Sequence, residues 1–279
     1  MSGATVRMTR GESELGRWEI AAAPPDPTLA PGVRGYVGVA SALTLTAERH
    51  LPSGEAAILV NLGEPYDVIG PGGALRVERA AVMGVHAAPF NTVCSGRKDL
   101  VLVRLAPPAA QRIVGRPMAQ LAGRWAALEA LDTDLARALV TGVSSASDWA
   151  GRFRAAERML GERLAGAEVC RAAAAWEAIR RAGGAIRIDE LARSADAGQR
   201  RFTAEFRRRV GVGPKTAARL ARFNRVLRAM GRTGARPTAS DAADYGYFDQ
   251  PHMLGEFRAF AGAAPGAVLK SAAAFTLRA

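Results

Sequence analysis

The sequence predicts an α+β chain: a mainly antiparallel β region followed by helices, then an all-α segment in which two helix-turn-helix units are joined by one linker helix. Three observations predict it. Period-two and continuous apolar runs are confined to the stretch before Pro107, whereas beyond it apolar residues recur at helical spacing. A nine-residue frame, F-R-x-x-x-G-x-x-P, also occurs twice, at Phe206–Pro214 and, 51 positions later, at Phe257–Pro265. Each copy reads as a short helix ended by Gly and then Pro, and an internal repeat of this kind fixes the architecture around it.

The elements follow in order. A short strand near Trp18–Ala21 leads into an extended stretch set by Pro24, Pro25, Pro27 and Pro31. Val33–Ala40 is rich in β formers and Leu43–Ala47 alternates, so two strands are expected there. Ala56–Leu62 and Leu100–Leu105 read as buried strands, and turns at Pro52-Ser53-Gly54, Gly70-Pro71-Gly72-Gly73 and Asn91 separate the runs. The result is a half-barrel-like antiparallel region of about 100 residues.

Helices are expected over Ala109–Val114 and Asp132–Val140, and then over a longer stretch capped by Ser147. In the longer helix Trp149, Phe153, Ala156, Leu160 and Leu164 share a face, and Arg152, Arg158, Glu162 and Arg163 point to solvent. A helix over Val169–Ala182, with Trp176 and Ile179 inward, stops at Gly183-Gly184. The chain is divided at 165/166. In the second part helices are expected over Ile188–Ala195, Gln199–Arg209, Lys215–Met230, Ser240–Tyr245 and Gln250–Phe260, with Ala267–Phe275 closing the end.

Charge follows the same division. The net charge is +12, and residues 171–279 carry 20 Lys and Arg against 9 Asp and Glu, a net of +11. The rest of the chain is nearly neutral, so the basic excess is the footprint of a polyanion-binding module. Two cysteines, Cys94 and Cys170, exclude a disulfide framework or a four-cysteine zinc site. No apolar run is long enough to span a bilayer and the N-terminus lacks a signal-peptide core, so a cytoplasmic protein without membrane contact is expected.

In a helix-turn-helix the first helix braces and the second presents its N-terminal side chains to the major groove. The first copy offers Leu191-Ala192 in the bracing helix, then Phe202 and Phe206 as anchors. The second offers Ala242, Gly246 in the turn, then Met253 and Phe257, with Asp249 placed to cap the reading helix. The stretch IRIDELARSADAGQRRFTAEFRRRVGVGPKTAARLARF, followed by DYGYFDQPHMLGEFRAFAGAAP, resembles the DNA-binding domain of AraC-family transcription regulators. Its Gly246-Tyr247-Phe248-Asp249-Gln250-x-His252 run, with Phe257-Arg258 and Gly262-x-x-Pro265, is similar to that family's second-half signature.

The resemblance implies double-stranded DNA as partner, two reading helices entering adjacent major grooves about 34 Å apart, and the Lys215–Met230 helix as their connector. It places base-facing positions on Gln199, Arg200, Thr203 and Ala204, and on Gln250, Pro251, His252 and Gly255. Arg200 suits a bidentate contact to guanine and Gln250 one to adenine. Arg201, Arg207, Arg208, Arg222, Arg225, Arg258 and Lys270 are the candidates for phosphate contacts, which fix register.

The sequence departs from the family in five places. Gly198 stands where a capping serine is common, and Asp196 where a turn glycine is usual. Thr203 and Gly255 replace frequent arginines, and Asp241 replaces a buried aliphatic residue, so the second unit is expected to be the less stable.

The resemblance further implies that residues 1–165 are an effector-binding or dimerisation domain, β-rich to about 106, and that residues 166–279 bind DNA. Val33-Arg34-Gly35-Tyr36, Leu51-Pro52-Ser53-Gly54, Val60-Asn61-Leu62-Gly63 and Gly84-Val85-His86 resemble a sensor-like domain of bacterial members that brings no defined ligand. A small-molecule effector, a homodimer through this domain and RNA polymerase, for an activator, are the further partners it implies. His50, His86 and Cys94 lack metal-ligand spacing, so no metal and no cofactor are expected. Asn61 and Tyr66 either line a pocket or satisfy turn groups. No nucleophile elbow, phosphate loop or paired carboxylates point to an enzyme. The competing function is a basic architectural DNA binder with little base specificity.

Overall fold

The computed structural model describes residues 5–13, 16–166, 170–194 and 198–270. Nine strands form one antiparallel sheet: β1 (Arg7–Ser13), β2 (Gly16–Ala23), β3 (Val33–His50), β4 (Ala56–Asn61), β5 (Tyr66–Gly70), β6 (Gly73–Val77), β7 (Ala80–Met83), β8 (Phe90–Leu105) and β9 (Trp125–Ala127). The order is β1-β2-β3-β8-β4-β7-β9, with β5 paired to β8 and β6 to β5. On one edge β8 pairs with β3 from His50↔Phe90 to Val33↔Leu105. On its other edge the first half takes β5 and the second half takes β4.

The strand pattern explains the apolar runs. All six residues of β4 are buried. Ala56, Ile58 and Val60 enter one core with Val101, Val103 and Leu105, and Ala57 and Leu59 enter a second on the opposite face with Tyr66, Val68 and Leu100. A strand covered on both faces loses its alternation. The two strands expected within residues 33–47 are one strand, interrupted by an irregular register between Leu43 and Thr46. A bulge of this kind breaks the period without ending the strand.

Three helices cover one face of the sheet: α1 (Pro107–Val114), α2 (Thr133–Ser144) and α3 (Trp149–Leu164). Asp132, expected as the first residue of its helix, instead caps α2, accepting from the Leu135 amide. The cap of α3 is Asp148, not Ser147, because its carboxylate accepts from the Gly151 amide. Trp149 lies over Gly38, where a Cβ would sit 2.3 Å from the indole, and its Nε1 donates to Glu19. Arg152, expected in solvent, is mostly buried and donates to Asp99 at 2.8 Å.

The remaining helices are α4 (Arg171–Arg181), α5 (Ile188–Ser194), α6 (Gln199–Val210), α7 (Pro214–Thr233), α8 (Asp241–Asp244), α9 (Gln250–Ala261) and α10 (Pro265–Lys270). They pack in two clusters. Trp176, Ile179, Leu191, Phe202, Phe206 and Val210 join Ala217 and Ala218 of α7. Leu220, Phe223, Val226 and Met230 of α7 join Ala242, Tyr247, Met253, Phe257 and Phe260. One helix therefore lends its first part to one unit and the rest to the other. Each cluster also takes residues from the sheet half: Ala106 in the first, Leu51 and Val85 in the second. Arg49 Nη2 donates to the Ala261 carbonyl at 2.8 Å and Asn224 Nδ2 to that of Pro52 at 3.1 Å.

Candidate nucleic-acid interface

The repeated frame has a local physical cause. Phe206 and Phe257 are 0% and 1% exposed, each at the centre of its own cluster. Five residues later each helix ends on a left-handed glycine, Gly211 at φ 96° and Gly262 at φ 65°, whose amides donate back to the carbonyls of Arg207 and Arg258. Only glycine adopts that conformation at no steric cost. A proline then starts the following helix, Pro214 for α7 and Pro265 for α10, where its missing N–H costs nothing. F-R-x-x-x-G-x-x-P thus encodes an anchor, a cap and a restart.

In the first unit α6 buries Phe202, Phe206 and Val210 and presents Gln199, Arg200, Thr203 and Ala204 to solvent. None of the four has a side-chain hydrogen bond or ion pair among the described residues. Gly198 caps α6 without a side-chain bond, as expected. Asp196 lies outside the described residues. Arg201, Arg207 and Arg208 are also exposed and without an ion pair among the described residues.

In the second unit Asp249 caps α9, accepting from the His252 amide at 2.7 Å, and Pro251 occupies the first turn. Gly246 takes φ 78° in the turn between α8 and α9. Pro251, His252 and Gly255 are exposed and Gln250 is half-buried. His252 is held by the protein itself: Nδ1 accepts from the Phe248 amide at 3.4 Å, and Nε2 lies 3.8 Å from Glu256. Its ring meets Tyr247 edge-on at 5.4 Å.

Three expectations change. Arg222, taken from the sequence as a phosphate contact, is turned inward: its Nη2 donates to both oxygens of Glu256 at 3.1 and 3.3 Å, and its guanidinium lies 5.3 Å from the Tyr247 ring. Arg225 is half-buried, lying over Tyr245 and close to Gly183. Arg258 and Lys270 remain exposed. Asp241 is no defect in α8, because its carboxylate accepts from the Thr238 amide and hydroxyl, which hold it below the usual carboxylate pKa.

Two features went unseen in the sequence. Phe248, immediately before the α9 cap, is 92% exposed. Glu256 is 7% exposed and accepts from Arg219 Nε at 2.6 Å as well as from Arg222. Its signal was the i, i+3 pair Arg219/Arg222 on one helix facing a lone acid on another.

In the sheet half, Asn61 donates to turn carbonyls at Glu64 and Glu78 and accepts from the Gly63 amide, so it closes a turn. Tyr66 is buried in the sheet core. His50 and His86 both pack against Phe90, and burial pushes each imidazole below its ordinary pKa. Among the described residues no cluster of His, Cys, Asp or Glu could hold a metal, and no helix is long and apolar enough to cross a membrane.

Residues 191–271 match the family model of a helix-turn-helix domain, and residues 21–126 match that of a domain of unknown function. No curated protein sequence matches significantly. Among solved structures, ToxT from Vibrio cholerae O395 aligns with a TM-score of 0.46 at 9% identity, over 84% of this chain and 98% of that one. An unsaturated fatty acid-bound wild-type ToxT from Vibrio cholerae strain SCE256 aligns with a TM-score of 0.46 at 9% identity, over 84% and 94%. The AraC-like transcriptional activator CuxR aligns with a TM-score of 0.36 at 12% identity, over 84% and 89%.

Proposed function

We propose that this chain, whose C-terminal part is an AraC-type helix-turn-helix domain, is a sequence-specific transcription regulator that sets α6 and α9 into adjacent major grooves. The observation that carries this is that two helices, α6 and α9, each bury one face against α7 and turn their first-turn side chains outward, those of α6 without side-chain partners among the described residues. A protein that only bends or coats DNA has no need for uncharged side chains such as Gln199 and Gln250 at the groove-facing positions. Residues 166–279 are the reading part. Residues 1–165 are the effector and dimerisation part, without catalytic function, and the protein works in the cytoplasm.

In this reading Gln199, Arg200, Thr203, Ala204, Gln250 and Pro251 face bases, with His252 as a positioned edge. Arg201, Arg207, Arg208, Arg258 and Lys270 face phosphates. Selection of bound duplexes from a random pool tests the reading: a regulator prefers its selected site by roughly 10³-fold or more at physiological salt, and a ratio near unity leaves only the architectural binder. On the selected site, Arg200→Ala is expected to cost about 1–3 kcal/mol and to relax preference at one base position. Arg258→Ala should weaken all sequences alike and reduce the salt slope by about one. Equal losses on every sequence for Arg200→Ala would reject its role.

Phe248 belongs to the same face. An aromatic ring this exposed contributes nothing to the fold, so Phe248→Ala should leave the melting temperature within about 1 °C of the parent. Apolar contact with thymine methyl groups or sugars gives it a use, and the variant should bind the selected duplex several-fold more weakly. Unchanged affinity would remove Phe248 from the interface.

A further inference from the structure

Between the sheet half and the helices lies a cavity of about 140 Å³, walled by Arg34 of β3, the loop 53–55 and Arg104 of β8 on one side and by Arg180 of α4 and Arg228 of α7 on the other. Four guanidiniums converge on it, and the carboxylates at hand are too few. Glu55 accepts from Arg104 Nε at 2.8 Å. Glu177 accepts from Arg180 Nε at 2.8 Å, but also from Arg181 Nε at 2.9 Å, and stands 3.7 Å from Arg34. Arg228 has no ion pair or hydrogen bond among the described residues, and the Nε of Arg34 is buried with no acceptor. The arginines therefore outnumber the carboxylates; Arg34, at 17% side-chain exposure, is the most buried, while Arg104, Arg180 and Arg228 reach the cavity from its solvent-accessible rim. Buried donors without acceptors and crowded like charges are both costly.

We propose that this cavity is a binding site for a compact dianion, a short dicarboxylate or a phosphomonoester, which bridges the sheet half to the connector helix α7. Guanidiniums take carboxylate and phosphate oxygens through paired N–H donors, which supplies the missing acceptors and the missing charge together. The volume matches the ~150 Å³ cavity that takes up a benzene-sized molecule, so a long aliphatic chain is excluded. Desolvation lowers the Arg34 and Arg228 pKa values, with Arg180 and Arg104 adding to it and Glu55 opposing, as expected of cations waiting for a counter-ion. Because the walls come from both halves, the ligand favours their docked arrangement by its differential affinity for it. The site lies apart from the groove-facing side chains and stands or falls independently of the DNA reading.

Calorimetric titration of the full chain at constant ionic strength tests it, with succinate and inorganic phosphate as probes and acetate as the monoanion. The expected result is saturable binding of succinate or phosphate with a Kd below about 1 mM, with acetate at least about tenfold weaker. Saturation by succinate alone identifies a dicarboxylate, and by phosphate alone a phosphoryl group; either supports the site. Arg228→Gln, which breaks no bond in the fold, should weaken the dianion about 10- to 100-fold. Arg258→Gln, on the DNA face, should leave it unchanged. Three results overturn the proposal: no saturable binding of either dianion up to about 10 mM, acetate binding as tightly, or unaltered affinity in Arg228→Gln. The first two need only the wild-type chain.

Discussion

Glu256→Ala is expected to destabilise the second helix-turn-helix unit by about 3–5 kcal/mol, the usual consequence of stranding a buried charge. Glu256 is 7% exposed and Arg222 is 16% exposed in its side chain. With the carboxylate gone, Arg222 keeps the Gly184 carbonyl at 3.3 Å and the Tyr247 ring but no counter-charge, and its Nε is already without an acceptor. Arg219, at 43% exposure, reaches water and adds little. The loss falls on α9 and the middle of α7, and it frees His252, which the same carboxylate faces. Thermal unfolding should show it as a fall of about 2–4 °C for each kcal/mol, and hydrogen exchange should lose protection in α9 before α6. The double variant Glu256→Met with Arg222→Leu should recover much of the loss, because neither partner is then stranded. A melting temperature within about 1 °C of the parent for Glu256→Ala would show that the pair is not buried in solution.

The helical half was legible in the sequence because its signals are local. A helix announces its stripe every three or four residues and its ends by caps, and Gly211, Gly234, Asp249 and Gly262 all cap as such residues should. The strands were harder. β1 and β9 carry no apolar alternation, β5, β6 and β7 are four or five residues long, and β8 begins ten residues before the apolar run that gave it away. Their pairing partners lie far off in sequence, so nothing local marks them.

The interface divided along the same line. Exposure of Arg200 and Arg258 follows from their place on a helix whose buried face is plain. The inward turn of Arg222 does not: i, i+3 spacing puts it beside Arg219, and only the approach of α9 supplies the acid that draws both in. The arginine-lined cavity draws on β3, β8, α4 and α7, elements separated by up to about 190 positions, and no spacing rule reaches that far.

Phe257→Ala and Phe206→Ala should each disable one reading unit and leave the other in place. Removing a buried phenylalanine typically costs about 3–5 kcal/mol, and the two rings sit in different clusters. Phe257 meets Phe223 at a tilt with ring centroids 5.2 Å apart, and Phe206 meets Phe202 likewise at 5.9 Å. Coupling through α7 is limited, because of its buried residues Ala217 and Ala218 serve the first cluster, whereas Leu220, Phe223, Val226, Leu227 and Met230 serve the second. If the specific part of binding, about 4–10 kcal/mol, is shared evenly between the units, each variant should lose about 2–5 kcal/mol, or roughly 30- to several-thousand-fold in affinity. The footprint is the sharper readout. Each variant should protect a duplex shorter by about one helical turn, Phe257→Ala losing one end of the selected site and Phe206→Ala the other. A substitution that erased protection at both ends together, in a chain still folded by circular dichroism, would mean that the two units do not read separate grooves, and the repeat would then record packing alone.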